Sequence, residues 1–153
     1  MKLIGKKVFE NNVFVQCDCG EEIIEFCRDS SISNDNTVEY FIQYHGYFSY
    51  KVDKCNSFFF LNKSEFSLFL DEIRDFLNGV EKNVSAVFFD KYLTYKNKVP
   101  GTLIVTYDND MGYFSLIKYP NPTVAKKAGK CSWEIIIGKN ETKELLKELE
   151  EWK

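Results

Sequence analysis

Two hydrophobic rhythms follow one another twice along this chain: a short apolar run bounded by polar residues, then a stretch whose apolar positions step by three and four. The first rhythm is that of a buried strand, the second that of a helix with one apolar face. Ser57–Leu61 and Trp133–Ile137 are the runs. After the first come Phe66, Phe69, Leu70, Ile73, Phe76 and Leu77; after the second come Leu145, Leu146, Leu149 and Trp152, on the same phase. Ser64 and Asn140 hold matching places and are preferred N-cap types, so both helices are expected to start there. Gly79 is expected to end the first helix in the left-handed conformation.

The correspondence is a repeat. Cys55–Phe76 falls on Cys131–Trp152 without a gap, setting Lys54 on Lys130, Cys55 on Cys131, Lys63 on Lys139, Glu65 on Glu141, Leu70 on Leu146 and Glu72 on Glu148. Upstream, Val13–Cys17 and Glu22–Arg28 flank Asp18-Cys19-Gly20 and read as a hairpin. Lys91–Lys96 and Thr102–Tyr107, around a Pro-Gly turn, read as its counterpart. Val38–His45 and Tyr113–Tyr119 are third strands, with Tyr40-Phe41 set on Tyr113-Phe114. A rival alignment sets Gly46–Ser49 on Gly112–Ser115, at the cost of a longer loop. Met1–Glu10, including Val8–Phe9, and Val84–Phe89 supply further leading strands. The expected fold is α+β, an internally duplicated unit of antiparallel strands followed by one helix, about ββββα twice, with a pseudo-twofold. Residues 1–79 form the first repeat and 80–153 the second. Each copy alone would have a thin core, so the two are expected to pack as one compact domain, each helix covering the sheet of its own half.

Composition changes this picture little. With 44% hydrophobic residues the chain can bury a core, and no stretch is long and apolar enough for a membrane span. The cysteines are odd in number and irregularly spaced, which does not suggest a disulfide framework. No secretory signal is read at the start, so a cytoplasmic, reduced protein is expected. Charge is uneven: residues 1–81 hold 8 Lys and Arg against 14 Asp and Glu, and residues 82–153 hold 12 against 9. A split of this kind can mark an anionic partner for the basic half, or it can be surface drift.

Candidate chemistry is sparse. His45, the only histidine, lies in an aromatic strand with no partner nameable from sequence. Cys17, Cys19 and Cys27 lack the second pair and the spacing of a zinc ribbon, so no metal is expected. Asp108-Asn109-Asp110 opens like a calcium loop but lacks its glycine and closing glutamate, and reads as a hairpin turn. No phosphate loop, serine elbow or carboxylate pair is present, so neither a catalytic residue nor a cofactor is assigned. What remains is aromatic strands beside lysine-bearing loops: Lys91, Tyr92, Tyr95, Lys96 and Lys98, then Lys118, Tyr119, Lys126, Lys127 and Lys130. Such a mixture suits single-stranded nucleic acid, whose phosphates follow cations while its bases stack on rings.

In layout, this strands-then-helix repeat resembles the Whirly and PUR-type single-stranded nucleic-acid-binding proteins. It also looks like small proteins of phages and low-GC bacteria. The first resemblance implies curved antiparallel sheets set against helices, and a nucleic-acid ligand. The expected function is therefore a non-catalytic binding module for single-stranded nucleic acid. The alternative is a protein-interaction or regulatory module of phage or bacterial origin.

Overall fold

In the computed structural model the described residues are 2–6, 12–16, 22–28, 40–45, 58–82, 84–89, 101–119 and 133–152. They form β1 (Lys2–Lys6), β2 (Asn12–Gln16), β3 (Ile23–Arg28), β4 (Tyr40–His45), β5 (Phe58–Leu61), α1 (Lys63–Leu77), β6 (Ala86–Phe89), β7 (Thr102–Asp108), β8 (Tyr113–Tyr119), β9 (Trp133–Gly138) and α2 (Lys139–Glu150). Strands β1 to β5 lie in sequence order in one sheet and β6 to β9 in a second, every neighbour antiparallel. The chain is α+β and duplicated: β2–β5 with α1 is one unit and β6–β9 with α2 the other. The first sheet has the additional edge strand β1.

The ladders show which residues are equivalent. If Leu61 is set on Ile137, the pairings Tyr40↔Leu61 and Phe114↔Ile137 make Tyr40 the counterpart of Phe114. Carried across each sheet, the registers set Phe26 on Val105 and Val15 on Phe88. The expected alignment of Tyr40 with Tyr113 is thus one residue out. In a pleated strand that slip exchanges the faces: Phe114 is in the core and Tyr113 is exposed. The second correction concerns the strand paired with β7. It is β6, within the Val84–Phe89 run, while Lys91–Lys96 lies outside the described residues, as does Val8–Phe9.

In both helices the N-cap position lies two residues before the one expected. Asn62 caps α1: its side chain accepts the Glu65 N–H at 2.9 Å and the Glu65 carboxylate accepts the Asn62 N–H at 3.0 Å. This reciprocal pair satisfies two otherwise free donors and contributes about 1 kcal/mol. Ser64 instead donates its hydroxyl to Asn62. Gly138, at the matching place, leads into α2 without a side-chain cap. At the far end of α1, Gly79 has φ of 72°, the left-handed conformation expected there, and the Gly79 and Val80 N–H groups bond the Phe76 and Asp75 carbonyls in a Schellman arrangement.

The buried faces of the helices match position for position. Phe66, Phe69, Leu70, Ile73 and Phe76 of α1 correspond to Thr142, Leu145, Leu146, Leu149 and Trp152, of which only Leu146 is partly exposed. The hydroxyl of Thr142 is satisfied by the Gly138 carbonyl at 2.6 Å. The two helices touch each other, and each is shared between the sheets rather than roofing its own. Phe76 packs on Tyr107 and Phe114 of the second sheet, while Trp152, just beyond α2, packs on Tyr40 of the first. The centroid separations, 5.8 Å for Phe76–Phe114 and 6.3 Å for Trp152–Tyr40, belong to symmetry-related pairs. Arg74 and Glu150, the same position in the two helices, meet at 2.9 Å, as a residue near a twofold axis meets its own copy.

Phe69 lies where the layers converge, fully buried against Phe26 of the first sheet and Phe88 and Phe114 of the second. Phe69→Ala is expected to cost about 3–5 kcal/mol of stability. Because its partners span both units, far-UV circular dichroism and tryptophan fluorescence should report one coincident urea transition in wild type and variant alike. Two separated transitions would contradict a shared core.

Candidate functional site

Each sheet turns one face to the helices and the other away from them. On the first sheet Val13, Val15, Ile24, Phe26, Tyr40, Ile42 and Tyr44 face the core, so alternation sends Asn12, Glu25, Cys27, Phe41, Gln43 and His45 to the outer face. Glu25 is the hub of that face. It is only 8% exposed, and its carboxylate accepts the Asn12 side-chain amide at 2.5 Å and meets His45 Nε2 at 2.8 Å. Burial alone would push the Glu25 pKa up; hydrogen bonds from His45, Cys27 and Asn12, with the attraction of His45, outweigh it and hold the carboxyl below its ordinary value. The result is an ionised acceptor serving several donors. His45, with 43% of its side chain exposed, is the open end of the network.

The second sheet presents the opposite character. Its core side is Phe88, Leu103, Val105, Phe114, Leu116, Trp133, Ile135 and Ile137. Its outer side carries Val87, Phe89, Ile104, Ile117, Tyr113, Tyr119 and Ile136, interleaved with Thr102, Thr106 and Ser115. Phe89 and Tyr119, 52% and 45% exposed, flank Thr102 in one cross-strand row at the end where β6 and β8 finish. The charged residues described on this face are Asp108 and Glu134, both acidic and exposed.

Of the sequence-derived binding residues, the structure places two. Tyr119 is on the open face. Lys118 is not a surface cation: it is 1% exposed, points inward between the sheets, and holds its ammonium 5.0 Å from the centre of the Phe59 ring. Its position follows from β8, where Phe114, Leu116 and Lys118 share the core-facing parity. Lys91, Tyr92, Tyr95, Lys96, Lys98, Lys126, Lys127 and Lys130 lie outside the described residues, as do Cys17, Cys19, Cys55 and Cys131. Among the described residues no His, Cys, Asp and Glu group is arranged to hold a metal ion, and no helix is long and apolar enough to cross a membrane. The Asp108 carboxylate accepts the Asp110 and Met111 N–H groups at 2.9 and 3.0 Å, which makes Asp108–Asp110 the hairpin turn expected.

Sequence reasoning missed Glu25, Asn12, Phe89 and Val87. For Glu25 the available signal was a lone carboxylate inside the apolar strand Ile23–Cys27. For the other sheet it was the alternation of β8 itself. The described clefts, about 140 and 210 Å³, adjoin each other and share Lys82 and Tyr107. They are smaller than most small-molecule sites. Lys82 there is bound by Glu72 at 2.6 Å and Asp75 at 2.9 Å, and these hydrogen bonds hold its pKa well above the lysine range. Val80 accepts from Tyr107 and Asn109, so this region fastens the joint between the units.

Two outcomes follow. Glu25 has a lowered folded-state pKa, so its contribution is present above the unfolded carboxyl value and disappears as pH falls through the folded one. Glu25→Gln should therefore be less stable than wild type at neutral pH, with the difference closing below about pH 4, as read by urea unfolding across pH. A pH-independent difference would refute the ionised hub. Separately, a methyl group on Gly101 would run into the Lys118 ammonium and lie 2.8 Å from the Tyr119 carbonyl oxygen. Gly101→Ala should cost about 1–3 kcal/mol, and Lys118→Met should recover part of that loss in a double-mutant cycle.

No family model, curated protein or solved structure matches the chain.

Proposed function

We propose that this chain is a non-catalytic binding module whose second sheet takes single-stranded nucleic acid on its outer face. The observation that carries the reading is the row of Phe89, Thr102 and Tyr119. Two half-exposed rings stand at the sheet end from which the chain continues into residues 90–100 and 120–132. Those two segments contain Lys91, Lys96 and Lys98, and Lys126, Lys127 and Lys130, with Asp90 as their only acid. Rings that stack on bases, next to cations that follow phosphates, are the parts such binding needs. The layout likeness to Whirly and PUR-type proteins agrees with this reading.

A second reading has its own observation. The middle of the same face is aliphatic, with Val87, Ile104, Ile117 and Ile136, and its described charges are acidic. That composition suits a protein partner, since exposed apolar patches mark interaction sites.

One experiment separates them. Fluorescence anisotropy with labelled single-stranded oligonucleotides at low salt should show binding that weakens steeply as salt rises. Tyr119→Ala should weaken it roughly tenfold, the loss of one stacked base. Absence of binding to every oligonucleotide at low salt would discard the nucleic-acid reading and leave the protein partner.

A further inference from the structure

We propose that β6 is a self-association edge, joining the second sheets of two copies into one continuous antiparallel sheet. The inference is independent of the ligand reading and rests on a difference between the two units. By register β6 is the counterpart of β2: Ala86 matches Val13, Val87 matches Phe14 and Phe88 matches Val15. In the first unit β2 is covered on its other side by β1. Among the described residues β6 has β7 on one side and no strand on the other. Among the described residues, its outer backbone N–H and C=O groups therefore form an unpaired row.

Natural sheets protect such rows with lysines, prolines, bulges or covering segments. The edge strand of the first sheet is irregular: the register of β1 with β2 shifts between Leu3 and Gly5. The inner edges β5 and β9 belong to strands engaged across the core, where Lys118 lies over Phe59 and Tyr44 stacks on Trp133 at 5.4 Å. Among the described residues, strand β6 has none of these devices. Ala86-Val87-Phe88-Phe89 contains no charge, proline or register shift, and Val84, Val87 and Phe89 around it are 79%, 49% and 52% exposed.

The strand is also complementary to itself. An antiparallel pair centred on Val87 sets that residue on the partner subunit's Val87. It sets Ala86 on the partner subunit's Phe88, small against large on the core side, and Ser85 on the partner subunit's Phe89 on the outer side. In a twofold pairing the residue on the axis meets its own copy, and Val87 there is uncharged, as is the rest of the strand, so nothing repels. That selects a second copy as the occupant. The outer faces bearing Tyr119 would then lie side by side, still open.

The test measures the mass of the full chain by light scattering and sedimentation equilibrium over a wide concentration range. The mass should rise from the 17.9 kDa of one chain to twice that value. Val87→Lys and Val87→Glu each set like charges against one another at the twofold and should stay monomeric, with unchanged circular dichroism. An equimolar mixture of the two should recover the doubled mass. Hydrogen exchange on the wild type supplies a reading that needs no variant: the β6 amides should gain protection as concentration rises. Four results would overturn the proposal: a wild type monomeric throughout, variants that still dimerise, a mixture that stays monomeric, or β6 protection independent of concentration. Association only with a foreign extended peptide would also overturn it.

Discussion

The sharing of two helices between two sheets is the constraint on which the rest of the structure depends. Phe76 leaves α1 to fill the second sheet, and Trp152 leaves the end of α2 to fill the first. Phe69 touches rings of both. A core exchanged in this way is complete only when both units are present, which solves the problem of two pieces each too small to bury enough apolar surface alone. The Arg74–Glu150 pair marks where the units face each other, but being solvent-accessible it contributes at most about 1 kcal/mol. Burial, not that ion pair, joins the halves.

Once the inner faces are committed, the outer faces are free to differ, and the equivalences show how far they have diverged. Glu25 corresponds to Ile104, Cys27 to Thr106, Asn12 to Ser85 and His45 to Tyr119. On the first sheet these places build a polar network around an ionised carboxylate, open only at His45. On the second they build an open surface of rings, aliphatic side chains and hydroxyls. One backbone thus carries two surfaces with opposite requirements. A buried carboxylate demands all its donors, so the first face has little latitude. The second has no such demand and is the one left available for a ligand.

The repeat was legible because the helices carry it. Their stripes and starts keep a constant offset through the last strand and helix of each unit, and no loop interrupts that stretch. The upstream strands were harder, since their connecting loops differ in length and apolar residues occupy both parities of Val38–His45. A one-residue slip was then invisible. The polar hub was out of reach for another reason. Its members, Asn12, Glu25 and His45, are far apart in sequence and meet only through the β2–β3 and β3–β4 registers. The Asn62 cap was missed because Ser64 has the same chemistry, and only geometry shows which side chain reaches the free N–H.

Lys118 shows the same limit from the energetic side. Its counterpart in the first unit is Tyr44, by the pairings Tyr44↔Ile24 and Lys118↔Leu103. Tyr44 crosses to the other sheet by stacking on Trp133, and Lys118 crosses by laying its ammonium over Phe59. A ring and a lysine can fill the same place because a lysine is four methylenes before it is a charge. The apolar stem packs where the ring would, and the charged end meets the negative face of an aromatic, worth about 2 kcal/mol when water is excluded. Such a residue occurs in the basic half of the sequence and raises its apparent positive charge, yet it offers nothing to a phosphate outside. Charge counted along a chain is therefore evidence for an anionic partner only after the strand's parity has been read, and on β8 that parity turns Tyr119, not Lys118, to the open face.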